Sequence, residues 1–183
     1  MRSRFIETIR LVVGAAERGR FRVALIGGFA LPFLGVSRAT GDVDFLVDGS
    51  GADLLHRVLT IAEMRCANRT EDVANYLSTQ PALSAVDVLY ARRPAALAML
   101  DRVHVEALTE GLSVPVADAE AIIGLKVQAI ANNPKRRDRD RADIRQLLEA
   151  HRATLDVPLL RAYFRLFDME RDLDELLDET GKD

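Results

Sequence analysis

The sequence predicts an α/β (α+β) protein: a small mixed β-sheet flanked by helices, followed by a helical subdomain. Three observations predict it. Short apolar runs rich in β-branched residues, near 22–26, 42–47 and 84–91, alternate with stretches of helical spacing. From position 118 onward every apolar pattern is helical. The hydrophobic fraction, 49% of 183 residues, is enough for a real core, and its scarcity of aromatics makes that core aliphatic. The change of pattern near Pro115 divides the chain into 1–116 and 117–183.

The elements follow in order. Phe5, Ile6, Ile9, Val12 and Val13 fall on one helical face, so residues 3–18 read as an amphipathic helix with Ser3 as N-cap and Gly19 as stop. Glu7 and Arg10 interrupt its apolar pattern, which sets it apart from a signal peptide. Arg22 to Ile26 reads as a buried strand that ends on Gly27-Gly28, and residues 29–34 as a short helix. Asp42 to Val47 is a strand, 52–66 a helix and 84–91 a strand. Residues 67–82 carry no readable pattern. Pro94 opens a helix to Leu100, and 103–116 reads as a hairpin turning near Gly111. Asp118 caps the next helix, which Asn132-Asn133-Pro134 breaks. Helices over 135–151, 157–167 and 171–179 complete the chain.

Net charge is −3, so the chain as a whole is no polyanion binder. The charge is unevenly spread. Lys135 to Arg141 is dense in arginine, and the tail from Asp168 is mostly acidic. On charge alone the arginine stretch reads as a solvated helix face or as a local phosphate-binding patch. The single cysteine, Cys66, excludes an intramolecular disulfide and reads as a small buried residue; the usage suits a reducing cytoplasm. No apolar run approaches membrane-spanning length, so no membrane partner is expected.

Three signals carry chemistry. Adjacent glycines after a strand let backbone N–H groups approach a phosphate, although such a pair also makes a plain turn. Asp42-Val43-Asp44 places two carboxylates on one side of a strand. They are either a surface-facing strand start or a pair that needs a cation between them, for which a hard divalent ion is suited. Asp87 interrupts the apolar strand Ala85-Val86-Asp87-Val88-Leu89-Tyr90, where an unpaired carboxylate is costly. A third carboxylate beside the pair gives the ligand set of a two-metal phosphoryl-transfer site.

The segment GGFALPFLGVSRATGDVDFLV resembles the signature of the DNA polymerase β-like nucleotidyltransferase superfamily, and most of all its AbiEii-like branch, known from abortive-infection and type IV toxin–antitoxin systems. Gly27, Gly28, Arg38, Thr40, Asp42 and Asp44 match the first motif, and Asp87 the third carboxylate. Lys126 and the run Arg139-Asp140-Arg141-Ala142-Asp143-Ile144 match a later helical block, so the resemblance covers about residues 20–150. It implies transfer of an NMP from an NTP such as ATP, with release of pyrophosphate. Asp42, Asp44 and Asp87 would be the catalytic, Mg²⁺- or Mn²⁺-binding residues. Gly27, Gly28, Arg38, Thr40, Lys126, Asp140 and Asp143 would meet the nucleotide; alternatively Arg38 would pair with Asp42, and Asp140 and Asp143 would hold the arginines in place. Two positions depart from the pattern. Phe29 stands where relatives often have a hydroxyl residue, leaving backbone amides alone for a phosphate, and Arg139 stands for a Lys. The acceptor is open: RNA, tRNA in particular, on the strength of Arg136, Arg137, Arg139 and Arg141; a protein; or a small molecule. A toxin role and an antitoxin partner follow from the resemblance. The rival reading is a non-catalytic nucleotide-binding or interaction protein on the same fold.

Overall fold

The computed structural model describes residues 2–181. The chain forms two compact units, one of Met1–Phe33 with Arg38–Ala117, the other of Leu34–Ser37 with Asp118–Asp183. Against the expected break after residue 116, the change falls one residue later, and four residues from the first half cluster with the second. His151 accounts for part of that exchange: its Nε2 donates to the Leu34 carbonyl at 2.9 Å.

The first unit is built on a mixed seven-stranded sheet. Its strands are β1 (Val23–Ile26), β2 (Asp42–Asp48), β3 (Met64–Arg69), β4 (Val73–Ser78), β5 (Ala85–Ala91), β6 (Val103–Thr109) and β7 (Leu112–Ala117), in the spatial order β3-β4-β5-β2-β1-β7-β6. β2 runs parallel to β5 and antiparallel to β1, while β1 runs parallel to β7. The short β1 is wholly buried, as its unbroken apolar run Val-Ala-Leu-Ile requires of a strand covered on both faces. Alternation does the sorting in β2: Val43, Phe45 and Val47 are buried, while Asp42 and Asp44 share the other face, half-buried.

Helices α1 (Arg2–Gly19), α2 (Gly27–Ala30), α3 (Ala52–Ile61) and α4 (Pro94–Leu100) complete this unit, and α1 packs against α3. Ile9, Val12, Leu25, Leu31, Phe45, Leu55, Leu59 and Tyr76 are fully buried. Ser3 lies inside α1, not at its cap, and the residue before the helix falls outside those described. The short helix expected at 29–34 begins at Gly27 and tightens into a 3₁₀ turn over Leu31–Leu34.

The main correction lies between residues 62 and 82. The helix expected to reach Cys66 ends at Ile61, because Glu63 takes a left-handed conformation (φ 58°) with no glycine to announce it. The chain then makes the hairpin β3–β4, with Thr70 accepting and donating across the turn to Val73. β3 is a mostly exposed edge strand without a β-branched or aromatic residue, so neither propensity nor periodicity marks it. Cys66 consequently sits half-exposed in that strand, not in a core.

The second unit is helical: α5 (Ala119–Asn132), α6 (Arg137–His151), α7 (Val157–Arg165) and α8 (Glu170–Thr180). Asp118 caps α5 by accepting from the Ala121 amide at 2.8 Å, as expected. Ile123, Val127, Leu147, Leu160 and Leu173 are fully buried. Beside them lies a buried charge cluster. Lys126 Nζ donates to Asp140 Oδ1 (3.0 Å) and to Asp143 Oδ2 (2.6 Å), and Arg136 Nε to Asp140 Oδ2 (2.9 Å).

The arginine stretch, read either as a solvated helix face or as a phosphate-binding patch, is largely engaged in ion pairs. Arg136 pairs with Asp140, Arg137 with Asp172, and Arg141 with Glu179 at 2.7 Å and with Asp172 and Glu175 at 3.5 Å. The acidic tail thus neutralises Arg137 and Arg141 of α6. The two charge runs, read separately in the sequence, are one salt-bridge network.

Breaking the buried cluster should cost more than losing any surface pair. Lys126→Met leaves two buried carboxylates short of a partner, so stability should fall by about 3–5 kcal/mol in a urea titration followed by helical circular dichroism. Burial pushes the Asp140 carboxyl up, but Lys126 and Arg136 outweigh this and hold it below the usual carboxylate range. Its contribution is therefore fully present above about pH 4, the unfolded value, and is lost as pH falls through the lower folded value. Asp140→Asn should remove that acid dependence.

Candidate active site

Strand pairing brings the carboxylates together. Asp44 on β2 lies directly opposite Asp87 on β5, so two residues 43 positions apart share one level and one face. Asp42 joins them through the two-residue period of β2. Ligand atoms of Asp42, Asp44 and Asp87 all lie within 4.8 Å of one another, and each side chain is half-buried. Three carboxylates this close repel one another at neutral pH. A donor set of hard oxygens at such spacing fits a hard divalent cation, which the Coulomb energy alone favours.

Each carboxylate is backed by a neighbour. Thr40 Oγ1 donates to Asp42 Oδ1 at 2.7 Å. Gly28 makes room for that threonine: a Cβ at Gly28 would stand 2.9 Å from Thr40 Cβ. Asp44 lies against Gly27, whose φ is +65°; a Cβ there would fall 2.0 Å from Asp44 Oδ2. Both glycines are thus required by close approach, and Gly27 by its conformation as well. Asn75 Nδ2, on β4, donates to Asp87 Oδ1 at 2.7 Å.

Asn75 was outside the readable sequence. It lies in the unassigned 67–82 stretch, and asparagine is a poor strand former. The usable signal was the short run of strand-forming residues around it, Val73, Tyr76 and Leu77, after the turn residues Thr70 to Asp72. Thr40, expected to meet nucleotide, bonds the Asp42 carboxylate. Arg38 and Thr40 border a hollow of about 660 Å³ that Phe5, Phe29, Phe33 and Leu108 also line. Phe29 turns its ring toward Phe5 (centroids 5.2 Å apart), so the position after the glycine pair supplies an apolar wall in place of a hydroxyl.

Lys126, Asp140 and Asp143 belong to the second unit, within the buried cluster. Lys126 is only 6% exposed, so the expectation of an ammonium extended toward phosphates meets a side chain already bonded to two carboxylates. Asp140 also accepts from Arg136.

The model of the family described as nucleotidyl transferase AbiEii toxin, type IV TA system, matches residues 14–181. No curated protein matches the sequence. Among solved structures, the antibiotic-resistance factor ANT(2'')-Ia in solution superposes with a TM-score of 0.64 at 15% identity, over 93% of this chain and 94% of that one. An antigenic nucleotidyltransferase-like protein from Paracoccidioides brasiliensis gives 0.53 at 18% identity, over 94% and 92%. The lincosamide antibiotic adenylyltransferase LnuA, with lincomycin bound, gives 0.53 at 12% identity, over 77% and 94%. These likenesses establish the fold. Among the described residues no helix is long and apolar enough to cross a membrane.

The support of Asp44 by Gly27 is testable. Gly27→Ala forces a methyl into the Asp44 carboxylate at a left-handed φ. It should lower stability by more than about 1 kcal/mol and weaken any divalent-cation-dependent rise in melting temperature. Gly35→Ala is the control: its φ is +77° but nothing lies within 4 Å of its Cβ position. The control should lose stability and keep the cation response.

Proposed function

Since the chain belongs to the AbiEii nucleotidyl transferase toxin family and is a nucleotidyltransferase, we propose that it transfers an NMP from an NTP to an acceptor hydroxyl with Mg²⁺ or Mn²⁺ held by Asp42, Asp44 and Asp87. The observation that carries this reading is the convergence of those carboxylates within 4.8 Å, against glycines that admit no side chain. The metal would supply charge neutralisation on the phosphates and a lowered pKa for the attacking hydroxyl.

The chain's own residues contribute position. Gly27 and Gly28 offer backbone N–H groups that a phosphate can approach unobstructed by a Cβ. Thr40 fixes the rotamer of Asp42. Asp87, on the strand beyond Asp44, accepts the acceptor's proton. Such catalysis is chiefly orientation and electrostatics, for which fixed carboxylates on paired strands are suited. Arg38, at the border of the hollow, is proposed to meet the nucleotide phosphates. Lys126, Asp140 and Asp143 enter as the cluster that braces the second unit; two of the three Lys126 donors are already given to carboxylates.

The acceptor proposal changes with the arginines. RNA was favoured by a free basic patch, and Arg136, Arg137 and Arg141 are paired with carboxylates. RNA, protein and small-molecule hydroxyls therefore stand together as acceptors. The toxin role, with an antitoxin as partner, is the biological setting that the family suggests.

The test is transfer of label. With Mg²⁺ and α-³²P-labelled NTP, label should move to an acceptor, and γ-label should leave as pyrophosphate. Asp42→Asn, Asp44→Asn and Asp87→Asn should each slow transfer about 100-fold or more, the equivalent of several kcal/mol of transition-state stabilisation. The labelled product identifies the acceptor class. Absence of transfer with all four NTPs and both metals, across RNA, protein and small-molecule acceptors, would replace the enzyme by a nucleotide-binding protein on this fold.

A further inference from the structure

One row of residues crosses five strands at a single level. Asn68 on β3 is opposite Asn75 on β4, Asn75 opposite Asp87 on β5, Asp87 opposite Asp44 on β2, and Asp44 opposite Ile26, the residue before Gly27. Directly opposed residues project to the same face. Four of the five residues in this row are thus polar on one face, the two carboxylates and, beyond Asp87, two asparagines.

Asn68 reaches this face through an irregularity. The register of β3 against β4 shifts between Cys66 and Asn68, so that Cys66 opposes Tyr76 and Asn68 opposes Asn75. Without the shift, Ala67 would oppose Asn75, and the two-residue period would turn Asn68 to the opposite side. Bulges of this kind re-aim side chains beside active sites.

The hydrogen bonds run along the row. Asn68 Nδ2 donates to Asn75 Oδ1 at 3.4 Å, and Asn75 Nδ2 to Asp87 Oδ1 at 2.7 Å. The second bond fixes the Asn75 amide, because the flipped amide would set its oxygen against a carboxylate. An amide also brings no charge. It orients Asp87 and occupies one lone pair of Oδ1, yet leaves the full negative charge for a cation. The carboxylates of the second unit are treated differently, since Lys126 and Arg136 neutralise them.

We infer that Asn75 is the positioning residue for Asp87, holding its carboxylate in the orientation that binds the divalent metal, with Asn68 steadying Asn75 from the edge of the sheet. This rests on the metal-binding reading of the three carboxylates. Residues that bond a metal-binding carboxylate from behind typically change metal affinity or activity 10–100-fold when removed.

The experiment is a Mn²⁺ titration of the full chain by calorimetry, together with its apo melting temperature. The variants are Asn75→Leu, which keeps the volume and removes the donor, and Asn75→His, which restores a ring N–H near the position of Nδ2. Asn75→Leu should bind Mn²⁺ about 10-fold more weakly or worse, Asn75→His should recover most of that loss, and Asn68→Ala should weaken binding by a smaller factor. If Asn75→Leu lowers the melting temperature but binds Mn²⁺ as the wild type does, the residue is merely structural and the inference is overturned. If the wild type itself binds no Mn²⁺, with or without NTP, the metal reading falls and takes this one with it. Should Asn75→Leu not fold, Asn75→Ser, shorter by one bond, is read against the same two outcomes.

Discussion

Parallel pairing of β2 with β5 sets Asp44 against Asp87, and the mutual repulsion of carboxylates at that spacing is the constraint around which the first unit is arranged. A shift of one residue in either strand would send one of the two to the opposite face. The buried partners Val43, Phe45, Val86 and Val88 oppose such a shift, because it would carry them out of the core. Hydrophobic burial therefore holds in place an electrostatic arrangement that is unfavourable by itself.

Three separate supports serve the three carboxylates. Thr40 bonds Asp42 and needs Gly28 to stand where it does. Gly27 lets Asp44 lie against the backbone. Asn75 bonds Asp87. The supports come from a loop, a strand end and a neighbouring strand, so no single local element defines the site. The glycine pair thereby has a role beyond any phosphate contact, since both glycines set carboxylate positions directly or at one remove.

The second unit solves its charge problem in the opposite manner. Its carboxylates at 140 and 143 are buried with a lysine and an arginine, and its arginine-rich helix α6 is matched by the acidic helix α8. Buried pairs of this kind contribute little net stability when intact, yet breaking one is costly, because the survivor is left charged and dry. The same residue types thus make an open anionic site in one unit and a closed ionic brace in the other.

The sequence by itself determined the fold class, most elements, the glycine pair and the identity of the three carboxylates. Those features are written in local periods: two residues for Asp42 and Asp44, an apolar run broken once for Asp87, and caps such as Asp118. Tertiary structure alone decided what each polar side chain meets. The β3–β4 hairpin escaped because its edge strand has no β-branched or aromatic residue and its preceding helix ends on Glu63, with no breaker residue. Asn75 escaped with it. Lys126, Arg137 and Arg141 were legible as charges but not as partners, since the carboxylates that bind them lie 14 to 38 residues away. Period and composition are properties of neighbouring residues, whereas an ion pair between helices or a bond across a sheet is set by the packing that brings distant positions together.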